Sequence, residues 1–200
     1  LVVNSGIKET FLKRAQIYKS MRAQFDADGY TEVETPILQP IPGGASARPF
    51  ITHHNALDID LYLRIACELY LKRLIVGGFE GVYEFSKNFR NEGMDKNHNP
   101  EFTCMELYVS YKDYKWMMCY TEKLLERIAL DVNGTTKVVV DGKEIDFKAP
   151  YRRVTMLDSI KEKTGYDLTD KTEDEIRAIC KELKLDSVDE TFGKGKMIDE

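Results

Sequence analysis

One short stretch of this chain carries most of its chemistry. Arg90, Asn91 and Glu92 follow one another, His98 and Asn99 come next after a polar interval, and Phe102, Glu106 and Tyr108 then recur at even spacings. A guanidinium offers a planar fork of fixed charge that matches phosphate oxygens. A histidine in a polar loop and an aromatic ring on an open face would add further contacts to phosphates and a flat platform for a base. The set is what a nucleotide requires. The same pattern also fits a solvated sheet face with cross-strand pairs, and the spacing by itself leaves both readings open.

The flanking residues say what must hold these groups. Before Arg90 the chain alternates with period two: Tyr83, Phe85 and Phe89 fall on one side, and Glu84, Ser86 and Arg90 on the other. After Glu101 it alternates again. Thr103, Met105, Leu107 and Val109 share one side; Phe102, Cys104, Glu106 and Tyr108 share the other. This predicts two strands joined by a polar loop, with the Phe85 and Met105 faces in the core.

The remaining elements follow from period and punctuation. Residues 5–28 read as a helix with an apolar stripe of Ile7, Phe11, Ala15, Tyr18, Met21 and Phe25, capped by Ser5 and ended by Gly29. Tyr30 to Thr35 reads as extended and is closed by Pro36. Residues 61–65 read as a short strand, 67–76 as a helix stopped at Gly77-Gly78, and 113–130 as a helix with Met117, Thr121, Leu124 and Ile128 on one stripe. Val138 to Phe147 reads as a hairpin around Asp141-Gly142. Thr172 and Glu175 form a capping box opening a helix whose core stripe is Ile176, Ile179, Cys180 and Leu183. Gly193-Lys194-Gly195-Lys196 lacks phosphate-loop spacing and reads as a solvated turn before a last helix. The fold class implied is α+β, a mostly antiparallel sheet flanked by helices. No G-x-G-x-x-G follows a strand, which excludes a dinucleotide-binding sheet.

The chain has 200 residues, 42% hydrophobic and 32% charged, with a net charge of -5. Such a composition suits a soluble globular protein and argues against a main nucleic-acid grip, which needs a basic face. No apolar run approaches membrane-spanning length and no leader pattern opens the chain, so a cytoplasmic location is expected. Cys67, Cys104, Cys119 and Cys180 form no C-x-x-C pair. With only His53, His54 and His98 beside them, reduced and mostly buried thiols are expected and no metal site within these residues.

Phe89-Arg90-Asn91-Glu92, followed by His98-Asn99-Pro100-Glu101-Phe102 and Glu106-Leu107-Tyr108, resembles the second signature motif of class II aminoacyl-tRNA synthetases in its lysine-specific form. Pro42 to Phe50 and Leu63 to Lys72 resemble the matching segments of bacterial lysyl-tRNA synthetases. The likeness runs from about residue 3 to the end, in the family's order and spacing. One departure is Cys67, where the family usually has proline.

The resemblance implies an enzyme that joins lysine to ATP as lysyl-adenylate and then passes the lysyl group to lysine tRNA. It implies that residues 1–200 are a partial catalytic domain, with the anticodon-binding domain, the third motif and the magnesium carboxylates absent, and that this piece alone is inactive. It assigns Arg90 to catalysis, and Arg90, Asn91, Glu92, His98, Asn99 and Phe102 to ATP. Gly44, Glu68, Glu106 and Tyr108 fall to lysine. Phe102 would stack on adenine, His98 would meet the outer phosphates, and Glu68 would hold the α-amino group. ATP as substrate, Mg2+ in the longer protein, and a homodimer built on the first helix are expected. Rival readings are a related synthetase for aspartate or asparagine, a paralogue that modifies a translation factor, and a non-catalytic dimerisation module.

Overall fold

The computed structural model describes residues 3–4 and 6–200. Its contacts divide the chain into two compact units, Leu1–Pro150 and Tyr151–Glu200. The first unit runs α1 (Ile7–Ala27), β1 (Thr31–Glu32), β2 (Leu38–Gln39), β3 (Ile51–His54), β4 (Ile59–Leu63), α2 (Glu68–Val76), β5 (Gly81–Phe89), β6 (Glu101–Val109), α3 (Tyr114–Asn133), β7 (Lys137–Val140) and β8 (Lys143–Asp146). The second holds α4 (Met156–Thr164), α5 (Glu173–Glu182) and α6 (Lys194–Asp199).

The architecture is α+β with antiparallel pairing dominant, but the strands form three small sheets and not one: β1-β5-β6, β2-β4-β3 and β7-β8. Among the described residues one pairing is parallel, and it sets Thr31 beside Val82 and Glu32 beside Tyr83. The long pair β5 and β6 is the centre of the first unit. It runs in continuous antiparallel register from Gly81↔Val109 to Phe89↔Glu101, as the two runs of alternation predict.

Alternation puts a different core on each face of that pair. On one face Tyr83, fully buried, meets Phe25 of α1 with ring centroids 4.6 Å apart. Leu124 of α3 joins them, with Met21, Phe85, Met105, Leu107 and Ile128 packed around. Fully burying a side chain of this size contributes about 1.5–3 kcal/mol. On the other face Val82 packs against Cys67 and Leu71 of the α2 region, with Val33, Leu74, Ile75 and Tyr108 beside them. The strand pair is thus held between α1 and α3 on one side and α2 on the other.

Several elements differ from expectation. The first helix starts at Ile7 and gives way at Asp28; Ser5, the expected cap, lies outside the described residues. Only the C-terminal half of its stripe is packed, since Phe11 is 59% exposed. The expected strand at 61–65 lies two residues earlier, at Ile59–Leu63, because Arg64 and Ile65 turn inward. β2, β3 and α4 had no sequence signal strong enough to read. The Asp141-Gly142 turn is as expected, with φ of 49° and 77° at the two positions, the sense that matches strand twist in a two-residue hairpin.

In the second unit Thr172 and Glu175 form the expected reciprocal capping box. Ile176, Ile179 and Cys180 are buried with Leu168 and Met197. Leu183 is 37% exposed, because it sits at the C-cap where the helix face has turned from the core. The glycine–lysine repeat is not a turn ahead of the last helix: Gly193 is the N-cap and the helix begins at Lys194. No helix among the described residues is long and apolar enough to cross a membrane.

Candidate active site

The face of β5 and β6 turned to α2 carries Glu84, Ser86 and Asn88 opposite Glu106, Cys104 and Phe102, register partner by register partner. Its two halves have different fates. The β5 half is closed: Glu84, Ser86 and Asn88 are all buried. The β6 half is open, with Phe102, Cys104, Glu106 and Tyr108 half-buried. The expected parity of Phe102, Glu106 and Tyr108 therefore holds, and the strand that carries it borders accessible space.

At the loop end, Arg90, Glu92, Gly93, Asn97, His98, Asn99 and Phe102 line one cavity of about 200 Å³. The Arg90 guanidinium lies over the Phe102 ring, 5.1 Å from its centroid. Its Nε is buried and has no hydrogen-bond partner among the described residues. A buried guanidinium N–H left unsatisfied is costly, so this donor is poised for an acceptor that enters the cavity. The backbone fixes the arginine's root, since Arg90 N donates to Pro100 O at 2.8 Å.

The loop between β5 and β6 is organised by a residue that sequence reading overlooked. Asp95 Oδ1 accepts from the backbone N–H groups of Asn97 and His98 at 2.7 and 2.8 Å, and both its oxygens lie 2.9 Å from His98 Nδ1. Those donors hold the Asp95 carboxyl below its ordinary range. Aspartate two and three residues ahead of the groups it binds is the local signal that could have found it. Asn99 donates from its side chain to Glu101 O at 2.8 Å. Asn91 does not line the cavity; its backbone N donates to Arg48 O at 2.7 Å, and Glu92 Oε1 accepts from Arg48 N at 3.4 Å. Arg48, from the Pro42–Phe50 segment, thus tethers that segment to the start of the loop.

At the other end of the open face, Tyr108 donates to Glu106 Oε2 at 3.0 Å. Burial pushes the phenol up, with Glu106, Glu68 and Cys67 adding to the shift. Glu68 opens α2 and pairs with Lys72 at 2.5 Å. Gly44 has φ of 88°, and a Cβ built on it would lie 3.1 Å from Glu68 Cβ and 3.2 Å from Ala66 Cβ. Both the backbone angle and the space call for glycine here. Gly44, Glu68, Glu106 and Tyr108, the four residues expected to bind lysine, therefore lie in one neighbourhood.

Cys67 sits at the N-cap of α2 with φ of -97°, fully buried, and its thiol donates to Ser86 Oγ at 3.5 Å. Burial pushes this thiol up to about 12, with Glu106 and Glu84 contributing, so it is a neutral packing group at physiological pH. Cys180 is buried, Cys104 half-buried and Cys119 exposed. Among the described residues, no group of three or more His, Cys, Asp or Glu is arranged to hold a metal ion.

One open face thus carries a cationic, aromatic cavity at its loop end and an acidic, phenolic cluster at the other. That division suits an anionic nucleotide beside a cationic small molecule. The chain belongs to the class II tRNA synthetases of the D, K and N group, whose family model matches residues 1–191. Within that group it is similar to proteins named lysine–tRNA ligase. That of Porphyromonas gingivalis strain W83 is 66% identical over the whole chain, which covers 34% of that relative. Those of Christiangramia forsetii and Azobacteroides pseudotrichonymphae are 64% and 60% identical, again over the whole chain, covering 35% and 40% of their lengths. The chain therefore spans about a third of the length of the curated relatives it matches.

Proposed function

We propose that the full gene product is a lysine–tRNA ligase that activates lysine with ATP and transfers it to tRNA. The observation that carries this reading is the pairing of opposite subsites on one strand face. Arg90, His98 and Phe102 surround a cavity suited to a nucleotide. Glu106, Tyr108, Glu68 and Gly44 gather where a cationic side chain and an α-amino group could be held. The relatives, all named lysine–tRNA ligase, favour lysine over the other amino acids of the group. An acidic pocket also repels an acidic substrate.

In the first step the lysine carboxylate oxygen bonds to the α-phosphorus of ATP, and the bond to the bridging oxygen breaks to release pyrophosphate. The nucleophile is already an anion, so no general base is required. Catalysis is then positioning and neutralisation of charge. The unsatisfied Nε of Arg90 and its fork would bridge the attacking carboxylate and the α-phosphate. For adenine to stack on the face of Phe102 that the guanidinium covers, Arg90 must swing off the ring toward the phosphates.

Further parts of the reading are a homodimer, a cytoplasmic location and Mg2+ as ATP's counterion. The exposed Phe11 and Leu12 on α1, at 59% and 54%, support self-association through that helix. ATP–pyrophosphate exchange by the full gene product tests the reading. Exchange stimulated by lysine supports it, and exchange stimulated by another amino acid but not by lysine overturns it.

A further inference from the structure

Glu84 and Glu106 are direct partners across β5 and β6, so their side chains leave the same face with Cβ atoms about 4.5–5.5 Å apart. Two carboxylates this close disfavour each other's charge unless something compensates them. The compensation is one-sided. Glu84 Oε1 accepts from Arg64 Nη1 at 2.7 Å and Oε2 accepts from Thr35 Oγ1 at 2.6 Å. Both partners of the ion pair have side chains only 4% exposed. The other contacts of Arg64 go to uncharged acceptors: Nε to Lys87 O at 2.8 Å, and Nη1 to Thr35 O and Oγ1 at 3.0 Å. Its charge is therefore directed at Glu84 alone.

Among the described residues, the hydrogen bonds to Glu106 come from neutral groups. It accepts from Tyr108 at 3.0 Å and weakly from Cys104 Sγ at 4.0 Å. Cys67 is wedged where both carboxylates are felt, since each acts on its thiol. One acid of the adjacent pair is thus matched inside the protein, and the other is left facing the open side.

We infer that Arg64 is a positioning residue that neutralises Glu84 and thereby leaves Glu106 as the one uncompensated carboxylate of this cross-strand pair; Glu68, the other acid of the neighbourhood, has its own partner in Lys72. This rests on the lysine reading above. A monocationic side chain reaching this strand face then meets one uncompensated carboxylate, Glu106. Arg64 also ties the end of β4 and the Thr35 segment to β5, the strand paired with the one that carries Glu106.

The test measures lysine KM, ATP KM and kcat in pyrophosphate exchange by the full gene product, with circular dichroism and melting as folding controls. Arg64→Met strands a buried carboxylate and is the variant at risk of not folding. The deciding pair is therefore Glu84→Gln and the double variant Arg64→Met/Glu84→Gln. Glu84→Gln leaves the Arg64 charge uncompensated behind Glu106 and is expected to raise lysine KM about tenfold, with ATP KM changed less than about threefold. The double variant removes both charges and is expected to bring lysine KM back to within about threefold of the parent. The inference is overturned if Glu84→Gln leaves lysine KM unchanged, if the two KM values rise together, or if the double variant keeps the loss of the single one. A double variant that does not fold also overturns it, because the pair would then serve the scaffold and not the pocket's charge. A parent protein without lysine-stimulated exchange defeats the lysine reading itself, which separates that failure from this one.

Discussion

Arg90 is fixed at its backbone, laid over Phe102, and left with one buried N–H that no described residue satisfies. Arg90→Lys keeps a charge but loses the fork that reaches two oxygen groups at once. The expected result is a fall in kcat of about 10²–10³, the cost of one oxyanion-type contact, with lysine affinity little changed. Single-turnover adenylate formation beside equilibrium lysine binding checks the split, and retention of more than about half the parent kcat would remove Arg90 from that role. Glu106→Gln should act in the opposite sense. It weakens lysine binding by about 2–5 kcal/mol and leaves ATP binding nearly untouched; calorimetry with each ligand separately tells this from a general folding defect. Arg90, Phe102 and Glu106 were legible because alternation in a strand assigns each residue a face. Arg64 and Asp95 were not. Arg64 has the composition of a surface residue, and only the distant Glu84 and Thr35 make its burial tolerable. Asp95 acts through loop geometry that no periodicity reports.

Among the elements, long and strongly punctuated ones were legible and short ones were not. The β5–β6 pair, α3 and the Asp141-Gly142 hairpin follow from local pattern. β2 has two residues and takes its place only by pairing with β4, as Leu38↔Leu63 and Gln39↔Tyr62. α4 has nine residues and none fully buried, which leaves little periodic signal. The last helix begins earlier than its sequence suggests, because Gly193 at the N-cap and Gly195 in the first turn both read as turn signals around Lys194. The capping box of α5 gives a prediction at this scale. Thr172→Ala removes an acceptor for Glu175 N and is expected to cost about 1 kcal/mol, read as a lower melting temperature. The acidic half of the box sets a pH window. Backbone and side-chain hydrogen bonds from Thr172, with Lys171 near, lower Glu175 from 4.5 to about 2. A depressed carboxylate stabilises above its unfolded value and loses that contribution as pH falls toward the folded one. Helicity of α5 should therefore hold at neutral pH and weaken as pH drops from about 4.5 to about 2, which amide exchange along 172–183 can follow. No change in protection over that range would contradict it.

For the whole molecule, two units with separate cores imply separable stability. The segment before α4 has no regular structure, and Arg152 in it is exposed. Brief trypsin treatment is expected to cut there before either core is attacked, which mass spectrometry would detect; first cuts inside β5 or α5 would count against two independent units. Sequence periodicity could not mark this division, because a boundary between units lies in which cores the contacts join. The buried Arg64–Glu84 pair has one more consequence, in time. Arg64 and Thr35 both precede Glu84, and Glu84 leaves the ribosome twenty residues after Arg64. At about 5–20 residues per second, the guanidinium waits roughly one to four seconds for its carboxylate. Until then it cannot enter an apolar interior without an unmatched charge, and β1 has no β5 beside which to lie. This stretch of the nascent chain is therefore expected to stay open until β5 emerges and to close when it arrives, which makes the slowest codons upstream of that strand the ones that set how long its apolar surfaces stand uncovered.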